Sequence, residues 1–130
     1  MLPVLLISHG SMAEGVKHAV SMIADASMVE TLSLMPEANP EEFRAQIQAK
    51  LDEMDTENGV VIFVDLLGGT PGNQAAYFCT PEHKAEVITG MNLPMVLEFV
   101  IRNQFGEVDL EEVLATGQAG ITHLNKLLGQ

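Results

Sequence analysis

The sequence predicts an α/β fold: one doubly wound, mainly parallel sheet with helices on both of its faces. Two short runs, Val4–Ile7 and Val60–Val64, are apolar at every position, which is typical of parallel strands covered on both sides. Stretches with helical periodicity separate them from two further strand candidates, and this alternation indicates βαβ units. The chain of 130 residues is long enough for one domain, which we assign to residues 1–130.

The first strand and the first helix meet at a glycine. Strand one ends at His9, because Gly10 follows it and allows a sharp turn. A first amphipathic helix is predicted from near Glu14, where apolar residues repeat with helical spacing at Val16, Ala19, Val20 and Ile23.

A second strand is predicted over residues 29–34, and a turn-rich segment from Pro36 to Pro40 ends it. A second helix begins at Pro40, with Asn39 as its N-cap and two glutamates in its first turn. Its predicted buried face holds Phe43, Ile47, Leu51 and Met54.

The third strand, over residues 60–64, is predicted to lie in the centre of the sheet and is followed by Asp65. A loop with two adjacent glycines, Gly68 and Gly69, leads into a third helix, for which Thr70 is the predicted N-cap and Pro71 the first residue.

The last part of the chain contains a fourth strand and further helices. Residues 86–90 are the predicted strand, and a largely apolar helix follows from Asn92-Leu93-Pro94 to about Arg102. After Asp109, one apolar stripe predicts a helical tail, with members Leu110, Val113, Leu114, Gly117, Ile121, Leu124 and Leu128. Two glycines at positions 117 and 120 weaken the prediction of one unbroken helix.

The composition disfavours several classes of ligand. Eighteen acidic and six basic residues give a net charge of −12, which would repel a nucleic-acid backbone or an anionic membrane surface. The single cysteine, Cys79, cannot form an internal disulfide, and neither a signal-peptide pattern nor an apolar run of membrane-spanning length is present. We therefore expect a cytoplasmic protein that binds no nucleic acid and reaches a membrane only through partners.

His9 and Asp65 follow the two strands that would be neighbours in a flavodoxin-like strand order, strand one beside strand three. Neighbouring strands are about 4.8 Å apart, so the two side chains can form a hydrogen bond. The carboxylate would fix the tautomer of the ring and leave its other nitrogen as a nucleophile. Beside a glycine-rich helix start, this arrangement indicates phosphoryl transfer through His9. Alternatively, Asp65 only caps the following helix or closes a turn.

Three segments, Ile7–Gly10, Val64–Asn73 and Gly90–Met95, occur in this order over nearly the whole chain. Together they resemble the enzyme IIA domain of the mannose family of bacterial sugar phosphotransferase systems (PTS). The resemblance implies that His9 accepts a phosphoryl group from the carrier protein HPr and passes it to the IIB component. It further implies that Asp65 orients the ring and that Gly68, Gly69 and Thr70 contact the phosphoryl group.

The resemblance also implies a homodimer in which an edge strand is exchanged, although the tail after Gly106 has a helical pattern. The apolar helix from Leu93 to Ile101 favours a dimer as well, since it has few polar residues. The membrane components IIC and IID would be reached only indirectly. No metal and no cofactor is expected, because no acidic cluster is available to hold Mg²⁺.

Four other functions compete with this hypothesis. The phosphotransfer subunit of a dihydroxyacetone kinase shares the histidine chemistry. A response-regulator receiver would use Asp65 but needs an acidic pair where Ser8-His9-Gly10 stands. A tetrapyrrole chelatase would need a second histidine in the same crevice, whereas we interpret His18, His83 and His123 as surface or packing residues. A non-catalytic binding module would show no phosphorylated histidine.

Overall fold

Four parallel strands form one sheet in the computed structural model, which describes all 130 residues. The strands are β1 (Val4–His9), β2 (Val29–Leu34), β3 (Val60–Val64) and β4 (Ala85–Ile88), and their order across the sheet is β2-β1-β3-β4. In the pairing of β1 with β3, Ile7 lies opposite Val64. This confirms the predicted α/β class and the position of strand one beside strand three.

Six helices and a short 3-10 turn at Ala76–Phe78 connect and cover the strands. The helices are α1 (Met12–Ser21), α2 (Pro40–Glu53), α3 (Thr70–Ala75), α4 (Leu93–Asn103), α5 (Leu110–Ala119) and α6 (Leu124–Leu127). Helix α2 is capped as predicted, since the Asn39 side chain accepts hydrogen bonds from the N–H groups of Glu41 and Glu42. None of the helices combines the length and the apolar character that a membrane crossing requires.

The sheet separates two apolar cores, because alternate residues of a strand face opposite sides. Val4, Leu6 and Phe63 contribute to one core, with residues from α1, α4 and α5. Leu5 and Ile7 contribute to the other, with residues from α2 and α3. Both faces of the sheet are therefore covered, as expected of a doubly wound fold.

The predicted cap of α3 is wrong. The helix includes Thr70, and the N-cap position belongs to Gly69, which has extended backbone angles and no side chain. The turn is thus set by the glycine loop one residue earlier than the Ser/Thr capping preference suggests.

The tail does not form one helix. Helix α5 ends at Ala119, and the four-residue α6 starts only at Leu124. Close packing accompanies the break, since a Cβ atom at Gly120, the C-cap of α5, would lie 2.6 Å from Cγ of Pro94. Of the predicted stripe, Val113 and Gly117 are buried, whereas the residues beyond Gly120 are exposed.

The apolar character of α4 is explained within the chain. Met95, Val96, Phe99 and Val100 are buried against the sheet and α5, and the rings of Phe99 and Phe63 meet edge to face at 5.9 Å. The composition of α4 therefore does not itself require a partner subunit. β4 is slightly shorter and earlier than predicted, since it ends at Ile88 before Gly90, which has a φ of +73°.

Candidate functional site

His9 and Asp65 meet at the carboxyl ends of β1 and β3. Nδ1 of His9 lies 2.7 Å from Oδ2 of Asp65, and the backbone N–H of His9 donates to the same oxygen at 2.8 Å. One carboxylate oxygen therefore holds both the backbone and the ring of the histidine. The hydrogen bond that the sequence predicted between these side chains is present.

The two side chains differ in their access to water. Asp65 is 7% exposed, whereas His9 is 51% exposed. Burial raises the pKa of Asp65, but hydrogen bonds from the His9 N–H, the His9 ring and the Leu66 N–H, together with the charge of the ring, outweigh burial and leave this pKa below its ordinary value. Asp65 is therefore an ionised acceptor at neutral pH.

The contacts of Asp65 also settle its alternative role. Its second oxygen, Oδ1, accepts from the N–H of the adjacent Leu66 at 2.9 Å. Helix α3 starts five residues after Asp65, and no side chain caps it. The carboxylate thus serves His9 and its own loop, and the hypothesis that Asp65 is only a helix cap is wrong.

Nε2 is the free nitrogen of the His9 ring. An ionised carboxylate accepts a hydrogen bond from Nδ1–H. In the neutral imidazole, the lone pair is then on Nε2. Nε2 makes no hydrogen bond within the chain, and the ring is half exposed. The site is thus a nucleophilic nitrogen presented at the surface beside an anionic orienting group.

The glycine loop lies against this ring. A Cβ atom at Gly69 would come within 3.0 Å of Cε1 and 3.7 Å of Nε2 of His9, so only a glycine fits there without displacement. Gly68 has a φ of +89°, a conformation that glycine adopts without strain. Asn73 braces the loop, since its backbone N–H donates to the Gly69 carbonyl at 2.9 Å and its side-chain amide to the Gly68 carbonyl at 3.4 Å.

Of the five predicted site residues, His9, Asp65 and Gly69 are thus in direct proximity. Gly68 and Thr70 flank Gly69 in the same loop, and neither forms a hydrogen bond with the ring.

Exposed apolar side chains lie close in sequence to the residues of the site and to the β2 partner of His9, a feature that the sequence analysis missed. We call Met12, Met35, Leu66 and Leu67 the apolar rim; all four are exposed, Leu67 to 82%. Met35 directly follows Leu34, the β2 partner of His9, and Leu66 and Leu67 directly follow Asp65. The available indication was the apolar Leu66-Leu67 pair in a loop, where polar residues are usual.

The main clefts lie away from His9. One of about 670 Å³ is lined by Asn58, Thr80 and Lys84 near the amino ends of β3 and β4, and neither it nor the other two main clefts is lined by His9 or Asp65. A ring on an open surface is suited to another macromolecule more than to an enclosed small substrate.

The other histidines are not part of this site. His83 precedes β4, where its ring contacts Thr80 Oγ1 at 3.1 Å and Gln48 Oε1 at 3.2 Å. No three His, Cys, Asp or Glu side chains are grouped so that they could hold a metal ion.

Comparison with protein families identifies relatives with this fold. Residues 3–116 match the EIIA-man family, described as the PTS system fructose IIA component. The chain is 29% identical over 128 residues to the PTS system mannose-specific EIIAB component of Escherichia coli (strain K12), which covers 95% of this chain. The chain spans only 39% of the length of that curated relative.

Solved structures extend the similarity. The PTS IIA protein associated with the fucose utilization operon from Streptococcus pneumoniae has a TM-score of 0.85 and 30% identity, and the match covers 97% of this chain and 95% of that protein. The mannose/sorbose specific IIA subunit from Enterococcus faecalis has a TM-score of 0.78 and 28% identity, with 95% of each chain covered.

Proposed function

Because this chain belongs to the EIIA-man family of sugar phosphotransferase systems, we propose that it accepts a phosphoryl group on His9 from phospho-HPr and passes it to a IIB component. The observation that carries the proposal is the 2.7 Å contact from Nδ1 of His9 to Asp65, with Nε2 free at the surface. The relatives are components of sugar systems, which favours this function over the dihydroxyacetone kinase subunit, the chelatase and the receiver.

The transfer is a substitution at phosphorus. The lone pair of Nε2 forms a bond to phosphorus, the bond from phosphorus to the donor nitrogen breaks, and that electron pair stays on the donor histidine. The positive charge that grows on the ring of His9 is stabilised by the adjacent carboxylate of Asp65. Transfer to IIB is the same step with His9 as the donor. Neither step uses a metal ion or a cofactor.

The glycine loop is the proposed contact for the phosphoryl oxygens. Gly69 has no side chain to cover the Nε2 side of the ring, and Gly68 and Thr70 flank it. Backbone N–H groups in such a loop are suited to phosphoryl oxygens.

The apolar rim supports the proposal that the phosphoryl donor is a protein. Exposed apolar side chains around a functional group are typical of a surface that another protein covers. We propose that HPr and IIB dock on this rim in the cytoplasm and that the membrane components IIC and IID are served only through IIB.

We also propose a homodimer, on family resemblance and on the exposed apolar residues Ile121, Leu124 and Leu128 near the end of the chain.

Phosphorylation with purified components tests the function. With HPr, enzyme I and phosphoenolpyruvate, we expect one acid-labile, base-stable phosphoryl group per chain, and none in His9→Ala. His18→Ala is the matched control, because His18 lies in α1 outside the site, and it should keep the label. Transfer from isolated phospho-HPr should proceed in excess EDTA. A label that persists in His9→Ala would overturn the proposal.

A further inference from the structure

Ser8 is one of two buried polar residues in the chain, and the transfer described above gives it no part. The other, Asn103, exchanges hydrogen bonds with the backbone of Leu2 at the opposite end of β1. Ser8 directly precedes His9 and follows four fully buried apolar residues. A hydroxyl in such surroundings is unfavourable unless it is hydrogen-bonded, so its partners indicate its purpose.

Both hydrogen-bonding capacities of the Ser8 hydroxyl are used within the next turn. Oγ accepts from the backbone N–H of Ala13 at 2.8 Å, and it donates to the carbonyl of Gly10 at 3.3 Å. Ala13 is fully buried, so its N–H has no access to water.

This hydroxyl replaces the usual cap of α1. Ser11 occupies the N-cap position, but its side chain makes no capping bond. The bond from Ser8 Oγ to Ala13 N–H instead satisfies a free donor of the first helical turn from within the strand. The strand and the helix are thereby joined across the residues between them, and His9 is one of those residues.

His9 is therefore held from two directions. Asp65 fixes its ring and its N–H from β3, and Ser8 closes the turn that sets the direction of its Cα–Cβ bond. The turn includes Gly10 at a φ of +55°, whose N–H donates to Leu34 of β2 at 2.8 Å. Without the Ser8 bonds, the turn could relax and move the imidazole relative to Asp65.

We propose that Ser8 is a positioning residue for phosphoryl transfer, which holds the β1–α1 turn so that the His9 ring keeps its bond to Asp65. This inference rests on the proposed function of His9. The ring geometry that it concerns can also be measured in the unphosphorylated protein.

The kinetic test uses single-turnover transfer from phospho-HPr over a range of donor concentrations. In Ser8→Ala, we expect the maximal rate constant to fall about tenfold, since small misplacements of a reacting group slow a reaction steeply, while the half-saturating donor concentration stays unchanged. Ser8→Cys has the same shape but is a poor acceptor, and we expect a similar loss. Ser8→Thr keeps the hydroxyl and should restore most of the rate. Ser11→Ala is the matched control and should behave as the unaltered protein.

The structural test is ¹⁵N NMR of the His9 ring at a pH where the imidazole is neutral. The unaltered protein should show one tautomer, with the proton on Nδ1, whereas Ser8→Ala and Ser8→Cys should show a mixture.

Folded variants with an unchanged maximal rate and one tautomer would overturn the proposal. So would a slower rate with one tautomer and weaker donor binding, which would indicate damage to docking alone. If Ser8→Ala does not fold, Ser8→Cys decides. If the unaltered protein accepts no phosphoryl group, the proposed function fails, and the tautomer comparison still decides the role of Ser8.

Discussion

At the scale of single residues, the site depends on one carboxylate oxygen that makes two contacts with one histidine. Oδ2 of Asp65 accepts from both the backbone N–H and the ring of His9, and the carboxylate is nearly buried. Such a group sets the position, the tautomer and the charge stabilisation of the ring together. Each of these contributions has its own measurable consequence.

Asp65→Asn should slow phosphoryl transfer by about 10² to 10⁴, as for other carboxylate-oriented histidines, while the fold is retained. The amide has no charge, and it can donate as well as accept, so it permits the wrong tautomer of His9. Rapid-quench transfer from phospho-HPr measures the rate, and circular dichroism confirms folding. A rate within threefold of the unaltered protein would contradict the proposal that Asp65 orients the ring of His9.

Stability should depend on pH through the same residue. The pKa of Asp65 is lower in the folded chain than its ordinary value, so its ionised form stabilises the fold at a pH above that ordinary value. This stabilisation should disappear as the pH falls below about 4 and through the folded pKa. Urea unfolding from pH 7 to pH 2.5, with Asp65→Asn as the neutral reference, measures it. Parallel stability curves for the two proteins across this range would contradict the assignment.

Gly69→Ala should reduce the transfer rate about 10- to 100-fold with little loss of structure. The new Cβ would lie 3.0 Å from Cε1 of His9 and 3.2 Å from Cδ1 of Leu66, and the exposed ring is the neighbour that can move. The backbone of Gly69 has a φ of −87°, which alanine adopts without strain. Gly15→Ala is the control, because it meets nothing within 4 Å. An unchanged rate in Gly69→Ala would show that the ring need not stay where the loop holds it.

At the scale of elements, the contact between α4 and α5 depends on glycines that permit close approach. A Cβ atom at Gly117 would lie 2.9 Å from Cβ of Met95, and the carbonyl of Gly117 accepts from the Asn92 side chain at 3.0 Å. Asn92 also caps α4, since its Oδ1 accepts from the Met95 N–H. The Asn92-Leu93-Pro94 motif thus connects the start of α4 to α5.

Replacing either of two helical glycines by alanine should change the free energy of unfolding, in opposite directions. Gly15→Ala should stabilise the protein by about 0.5–1 kcal/mol, because the helix gains propensity and the new methyl group meets open space. Gly117→Ala gains the same propensity but should destabilise by about 1–3 kcal/mol, because it separates two packed helices. Chemical unfolding of both variants measures the pair, and stabilisation by Gly117→Ala would contradict the close packing of α4 and α5.

The sequence predicted those helices and strands that are determined by a few neighbouring residues. The apolar runs of β1 and β3 and the Asn39-Pro40 start of α2 carry their information within a few residues. The glycines at positions 117 and 120 indicated a weak point in the helical tail, but the packing of Gly120 against Pro94, which is distant in sequence, could not be predicted this way. His9 and Asp65 were predictable because sheet topology brings the ends of neighbouring strands together. The partners of the Ser8 hydroxyl depend on the turn geometry, which the sequence does not specify.

At the scale of the whole molecule, the sheet has an unpaired edge at β4, and the end of the chain exposes apolar side chains. These features support the proposed homodimer, for which the composition of α4 no longer provides an argument. Light scattering at tens of micromolar should give about twice the 14.0 kDa mass of one chain. A mass of one chain under these conditions would count against both the dimer and the strand exchange.

If the proposed function holds, the free Nε2 of His9 also determines the order in which the protein binds its partners. Its ring has one unoccupied nitrogen, so donor and recipient of the phosphoryl group need the same atom and must visit in turn. Unphosphorylated HPr would then compete with the IIB component for the phosphorylated protein, because both would bind the same surface. The phosphorus centre is inverted once on transfer from HPr to His9 and again on transfer from His9 to IIB. A phosphoryl group made chiral with oxygen isotopes should therefore have the same configuration on IIB as it had on HPr.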